Sequence, residues 1–210
     1  MSRRTFKVVL IKPSHYDADG YVIQWWRSLV PSNSLASMYG LMAECAAAKS
    51  LGDDVEIDIE AYDECNTIID VKGAIRKIKN AGSGFVGLVG VQSNQFPRAL
   101  DLARQFRAAD IPVVIGGFHV SGLLAMLPIV PPDLQAALDL GCSLFAGEAE
   151  GRLEQILPYT DLAMTPVSDD ETERLEIFTQ NAAARRQVAH VRKVSGVAIP
   201  EPAVAQPARD

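Results

Sequence analysis

Two glycine-containing segments carry the residues best placed to bind or transform a ligand. They are Pro112 to Gly122 (PVVIGGFHVSG) and Leu144 to Leu153 (LFAGEAEGRL). Each has a short apolar run, then glycine, then polar residues, as at the carboxyl end of a strand in an open parallel α/β sheet, where ligands bind. Gly116 and Gly117 would let a ligand approach the backbone. The pattern predicts a cofactor crevice, and Gly117→Val is expected to abolish binding while leaving the fold intact.

Polar side chains beside these glycines have two interpretations each. Ser93 and Asn94 follow an apolar run, so the Ser93 hydroxyl could bind a ligand, or either residue could cap the next turn. His119 and Ser121 could serve a small hydrolase or transferase. A single histidine near a strand end is more often structural, however, and no carboxylate stands at the spacing of a catalytic triad.

Carboxylates near the two segments also have a structural explanation. Glu148 and Glu150 are expected in the first turn of a helix, where the helix dipole favours negative charge, and the same reason accounts for Asp133. No catalytic residue and no metal ligand are therefore assigned to the chain.

The segment 12–34 is too long for an ordinary strand-to-helix connection of about 2–6 residues. It contains His15 and the adjacent Trp25 and Trp26. Long loops at a carboxyl edge are often functional, which favours a lid or a docking surface. One of the two tryptophans is expected to cover the top of the core.

Composition excludes several classes of protein. The 210 residues are 48% hydrophobic and 22% charged, and the net charge of -6 argues against nucleic-acid binding. No apolar run approaches the ~20 residues of a membrane span. Cys45, Cys65 and Cys142 are scattered, so their spacing fits neither a zinc site nor an iron–sulfur cluster. A reducing, cytoplasmic location fits this cysteine usage best.

Strand and helix patterns alternate through the first 158 residues. Residues 55–63 alternate strictly between apolar and acidic side chains, which places this strand near a sheet edge. A helix is expected to start at Ser34, another at Pro131–Pro132 and a last one at Gly147. The spacing predicts a doubly wound, five-stranded parallel sheet of flavodoxin-like order 2-1-3-4-5. Residues 159–210 are expected to form a tail, with one helix around Leu175 and Phe178 and then disorder.

Four segments together resemble the cobalamin-binding domain at the N-terminus of cobalamin-dependent radical S-adenosylmethionine (radical SAM) proteins. They are KVVLIKP, VGVQSNQFPRAL, VVIGGFHVSG and LFAGEAEGRLEQIL, and the resemblance covers roughly residues 5 to 158. A strand that leads into GGxH, followed by a strand that leads into GExE and a helix, is a fairly specific combination.

The resemblance implies a Rossmann-like domain that holds cobalamin (vitamin B12) at the carboxyl edge of its sheet. By position, the implied cofactor contacts lie after four of the five strands. They are Pro13, Ser14, Ser93, Asn94, Gly116, Gly117, His119, Gly147 and Glu148.

Two departures from related domains shape the expected function. Methyltransferase-type domains carry DxHxxG after the first strand, whereas this loop reads PSHYDADG, so His15 is not expected to ligate cobalt. No CxxxCxxC barrel follows residue 160. The expected function is therefore a cobalamin-binding module without a complete active site, and a separate radical SAM barrel subunit is a possible partner. A truncated enzyme, a ligand-free interaction module and a small hydrolase or transferase are the alternatives.

Overall fold

Strands and helices alternate along the chain. The computed structural model describes residues 4–26, 31–153, 157 and 177–179. The elements are β1 (Arg4–Lys12), α1 (Asn33–Ala47), β2 (Val55–Asp63), α2 (Val71–Ala81), β3 (Gly82–Leu88), α3 (Phe96–Arg107), β4 (Val113–Gly116), α4 (Phe118–Met126), α5 (Pro132–Asp139), β5 (Ser143–Ala146) and β6 (Ile177–Thr179).

All strands are parallel and form one sheet of order β2-β1-β3-β4-β5-β6. The predicted order 2-1-3-4-5 is confirmed for the first five strands, and β2 lies at the edge, as its alternating pattern indicated. The short strand β6 extends the sheet beside β5, with Leu144 opposite Ile177. The helix predicted around Phe178 is therefore wrong at residues 177–179, because these residues pair with β5. The rest of the predicted tail lies outside the described residues.

Strand β1 separates two apolar layers. Phe6, Val8 and Leu10 face the layer that contains α1, whereas Val9 and Ile11 face the layer that contains α2, α3, α4 and α5. All five side chains are buried. Because both faces of the strand are covered, its sequence is a continuous apolar run, which is typical of a central parallel strand.

Helix boundaries differ from the sequence prediction at three places. Helix α1 begins before Ser34, because the Ser32 side chain accepts the Leu35 N–H at 3.2 Å and caps the helix. Helix α4 was not predicted. It precedes α5, which is the helix predicted to start at Pro131–Pro132. After β5, residues 147–152 form bends and turns, and helical structure starts at Leu153. Glu148 and Glu150 therefore precede that helix instead of lying in its first turn. No helix in the described ranges is long and apolar enough to cross a membrane.

An ion-pair network around the buried Lys7 links edge strand β2 to β1 and to α2. The buried Lys7 ammonium lies 2.7 Å from Asp58 Oδ2 and 2.8 Å from Glu60 Oε1. Lys77 of α2 and the Tyr62 hydroxyl also donate to Glu60. Burial alone would raise the pKa of Glu60, but hydrogen bonds from Lys7, Lys77 and Tyr62 outweigh it and lower that pKa from 4.5 to about 2.

We expect Glu60→Gln to remove an acid-sensitive part of the stability. A carboxylate with a lowered pKa in the folded state stabilises the protein above pH 4.5, and this contribution is lost as the pH falls from 4.5 towards 2. Urea unfolding should show the variant on the order of 2 kcal/mol less stable at pH 7. The difference should shrink at pH 3. Glu44→Gln, at an exposed position of α1, is the control. An equal deficit at both pH values would contradict the expectation.

Candidate functional site

A cavity of about 360 Å³ lies between α1 and the sheet and reaches the carboxyl edge. Its floor is the α1-facing side of β1, β3, β4 and β5, and its far wall is the segment that follows β5. The side chains of Ser34, Ser37, Met38 and Leu41 form the α1 wall. Gly116 is the last residue of β4, and Gly90, Gly117 and Gly147 follow the ends of β3, β4 and β5. The lining is mainly apolar, as in many ligand sites.

Gly87 helps to create the space above the floor. It lies beside Leu10 in the β1–β3 register, on the same face as Phe85. A Cβ atom at Gly87 would stand 3.0 Å from Leu10 Cδ2, so any larger side chain would occupy the cavity. The glycine therefore leaves a gap that the flanking apolar residues do not fill.

Gly117 lets the chain cross the carboxyl edge at very close range to Val91. Its φ is +142°, and a Cβ atom there would lie 2.2 Å from the Val91 nitrogen. The Val91 N–H donates to Gly116 O at 3.1 Å, and the His119 N–H donates to Val91 O at 3.1 Å. Gly117 lines the cavity, but backbone packing already requires a glycine here. The expectation that Gly117→Val would leave the fold intact is therefore wrong.

His119 joins two elements through both of its ring nitrogens. Nδ1 lies 3.1 Å from Ser93 Oγ, and Nε2 lies 2.7 Å from Asp133 Oδ2. The Phe96 ring packs on the imidazole, with centroids 4.3 Å apart. The expectation that no carboxylate is placed for a triad is wrong, because α4 and α5 bring Asp133 to His119. Nothing in the sequence spacing signals the contact.

Ser121 takes part in a different interaction. Its hydroxyl accepts the Gly147 N–H at 3.2 Å and so ties α4 to the end of β5. The hydroxyl that meets the His119 ring belongs to Ser93. The pairing of His119 with Ser121 that the sequence suggested is not observed.

Pro13 and Ser14 are buried and do not line the cavity. The Ser14 N–H donates to Glu64 Oε2 at 3.0 Å, and Glu64 is ion-paired with Arg98 of α3 at 2.6 Å. Burial opposes the charge on Arg98, but hydrogen bonds to Glu64 and Tyr16 outweigh it and raise the pKa of Arg98. The beginning of the loop after β1 is thereby fixed to the layer opposite α1.

Tyr16 fixes the next part of the loop to the same layer. The Tyr16 hydroxyl donates to Asp101 of α3 at 2.5 Å, and burial and this hydrogen bond raise the pKa of Tyr16. Trp25 and Trp26 are 63% and 93% exposed, so neither covers the core, contrary to expectation. Residues 27–30 lie outside the described residues.

The predicted cofactor residues therefore fall into three groups. Four line the cavity: Gly116, Gly117, Gly147 and Glu148. Ser93, Asn94 and His119 lie at the same sheet edge, where Ser93 and Asn94 are exposed. Pro13 and Ser14 are buried at the start of the loop after β1. The α1 wall of the cavity was not predicted from the sequence. The available signal was a pair of small polar residues at i and i+3, Ser34 and Ser37, which interrupt the apolar face of α1. Among the described residues, no three histidine, cysteine or acidic side chains cluster as metal ligands would.

Comparison with known proteins provides no relative. No family model, no curated protein and no solved structure matches the chain. The residues and geometry of the carboxyl edge are therefore the basis for a functional proposal.

We expect Gly117→Ala to destabilise the fold and Gly116→Ala to be tolerated. A Cβ atom at Gly117 meets backbone in a strained conformation, whereas at Gly116 it would make an ordinary 3.4 Å contact with Phe145 Cβ. Urea unfolding should show a loss of roughly 2 kcal/mol or more for Gly117→Ala. The loss for Gly116→Ala should stay below about 1 kcal/mol. Equal stabilities of the two variants would contradict the packing role of Gly117.

Proposed function

We propose that this chain is a cobalamin-binding module that lacks the iron–sulfur barrel of a complete radical SAM active site. The observation that carries the proposal is the apolar cavity between α1 and the sheet, which reaches the carboxyl edge. Its volume of about 360 Å³ lies within the range of small-molecule sites. The resemblance in four sequence segments supplies the identity of the ligand.

The cavity suits the nucleotide tail of a corrinoid. This tail is a planar nitrogen heterocycle joined to a sugar and a phosphate. Phe85 and Phe145 offer aromatic surface at the floor, and the Ser34 and Ser37 hydroxyls can hydrogen-bond polar atoms of the heterocycle or sugar. Gly116 presents backbone at the mouth with no side chain in the way. The residues present therefore fit this group.

Other residues would contribute around the mouth. Ser93 and Asn94 are exposed at the end of β3 and could bind polar groups that project from the cavity. Gly147 and Glu148 would do the same at the end of β5. His119 already uses both ring nitrogens, which argues against its serving as a metal ligand.

Bound cobalamin would supply a cobalt centre that can carry a methyl group. The chain would hold the cofactor and leave one corrin face open to a separate radical SAM barrel subunit, which would supply the radical chemistry. We place the module in the cytoplasm, because Cys45, Cys65 and Cys142 are present as thiols in the described structure, and thiols suit a reducing compartment.

We expect the purified chain to bind hydroxocobalamin and Ser37→Phe to weaken that binding at least tenfold. The phenyl ring would occupy the cavity from the α1 wall, and a tenfold loss corresponds to about 1.4 kcal/mol. Ala36→Phe is the matched control, because Ala36 is exposed on the same helix and does not line the cavity. Equilibrium dialysis and visible absorbance measure the binding.

The outcomes of this titration separate the alternatives. Equal weakening by both variants, with circular dichroism unchanged, would contradict binding in the cavity. No binding by the wild-type chain would contradict the proposal and favour an interaction module, for which exposed Trp25 and Trp26 are the first surface to test.

We expect His15→Ala to leave the spectrum and affinity of bound cobalamin unchanged. Tyr16, the next residue, is fixed to α3, whereas the cavity lies on the α1 side of the sheet. The loop also lacks the DxHxxG spacing that would orient an imidazole. Electron paramagnetic resonance of the reduced cobalt(II) form reports a coordinated nitrogen. A nitrogen signal that disappears in His15→Ala would contradict the expectation.

A further inference from the structure

Ser93, His119 and Asp133 form a continuous hydrogen-bonded chain at the carboxyl edge. The Ser93 hydroxyl meets His119 Nδ1 at 3.1 Å, and Asp133 meets His119 Nε2 at 2.7 Å. A hydroxyl, a base and a carboxylate that orients the base are the parts of an activated serine nucleophile.

Exposure differs along this chain, because the Asp133 side chain is 41% exposed, whereas His119 beside it is 9% exposed. Ser93 is exposed, so a substrate can reach its oxygen, while His119 is buried and packed on Phe96. The Leu134 N–H donates to the other Asp133 oxygen at 2.8 Å and fixes the carboxylate. The nucleophile is accessible, and the base has one orientation.

A capping role does not account for Ser93. Helix α3 has Gln95 as its N-cap and no side-chain capping hydrogen bond. Within the part of the chain that the structure describes, the Ser93 hydroxyl forms its hydrogen bond with His119. The structural explanation that the sequence offered for this serine is therefore not observed.

The tautomer of His119 follows from its neighbours. A carboxylate only accepts hydrogen bonds, so Nε2 carries the hydrogen towards Asp133, and the Nδ1 lone pair faces Ser93. Serine hydrolases of the trypsin type use the two nitrogens the other way round, but either imidazole nitrogen can take the proton of a serine.

We propose that Ser93 is a catalytic nucleophile for small, unhindered carboxylic esters, with His119 as general base and Asp133 as its positioning residue. Ser93 Oγ forms a bond to the carbonyl carbon as His119 Nδ1 takes the hydroxyl proton. The ester C–O bond breaks, and the leaving alcohol takes that proton from His119. A water oxygen then bonds to the acyl carbon as His119 Nδ1 takes one of its protons. The Ser93 Oγ–C bond breaks, His119 returns the proton to Ser93 Oγ, and the carboxylic acid leaves.

The test is covalent labelling of the full, cobalamin-free chain with a fluorophosphonate, followed by peptide mass spectrometry. We expect one phosphonyl group per chain, on Ser93, and none on Ser93→Ala. Ser121→Ala is the matched control, because Ser121 lies at the same edge but bonds Gly147, and it should label at the wild-type rate. Labelling elsewhere, or no labelling of the wild-type chain, would overturn the proposal.

Hydrolysis of p-nitrophenyl acetate tests the role of Asp133. We expect Asp133→Asn to lower kcat at least tenfold and to leave KM within about twofold, because the aspartate acts on the base and not on substrate binding. Circular dichroism of the variant checks its fold. Wild-type kcat in a folded Asp133→Asn variant, or wild-type turnover by Ser93→Ala, would refute the proposed mechanism.

Discussion

The close approach of Gly117 to Val91 organises the carboxyl edge of the sheet. No side chain fits at position 117, because a Cβ atom would overlap the Val91 backbone. This proximity allows Val91 to bond Gly116 through its N–H and His119 through its carbonyl. The end of β4, the segment after β3 and the start of α4 are thereby held as one unit. Any function at this edge depends on the rigid backbone that this unit provides.

Buried charges fix the start of the long loop after β1 to one layer. Leaving Glu64 unpaired in the interior would be costly, so its bonds to Arg98 and to the Ser14 N–H strongly favour one position for the loop. That position is on the α3 side of the sheet.

Patterns within one element were readable from the sequence, and contacts between elements were not. The apolar run of β1 and the alternation of β2 report directly on how many faces of each strand are buried, so the order of five strands could be predicted. Strand β6 has three residues, and a strand this short leaves no periodic signal. The contact of His119 with Asp133 depends on how α4 and α5 turn, which residue spacing does not encode. The cavity likewise depends on two separate elements, because Gly87 of β3 lines it from the sheet and the serines of α1 line it from the helix.

The cavity and the Ser93–His119–Asp133 chain lie on different layers but share one piece of backbone. Gly116 and Gly117 line the cavity, while Val91, bonded to Gly116, also holds the His119 N–H. A ligand that contacts the Gly116 backbone would therefore lie next to the hydrogen bonds of Val91 that orient the His119 main chain. Because parallel strands end at one edge, two chemically different sites can be held by a single rigid junction without occupying the same space. The doubly wound sheet makes such an arrangement possible, since each layer of helices closes over one face and leaves the edge between them accessible.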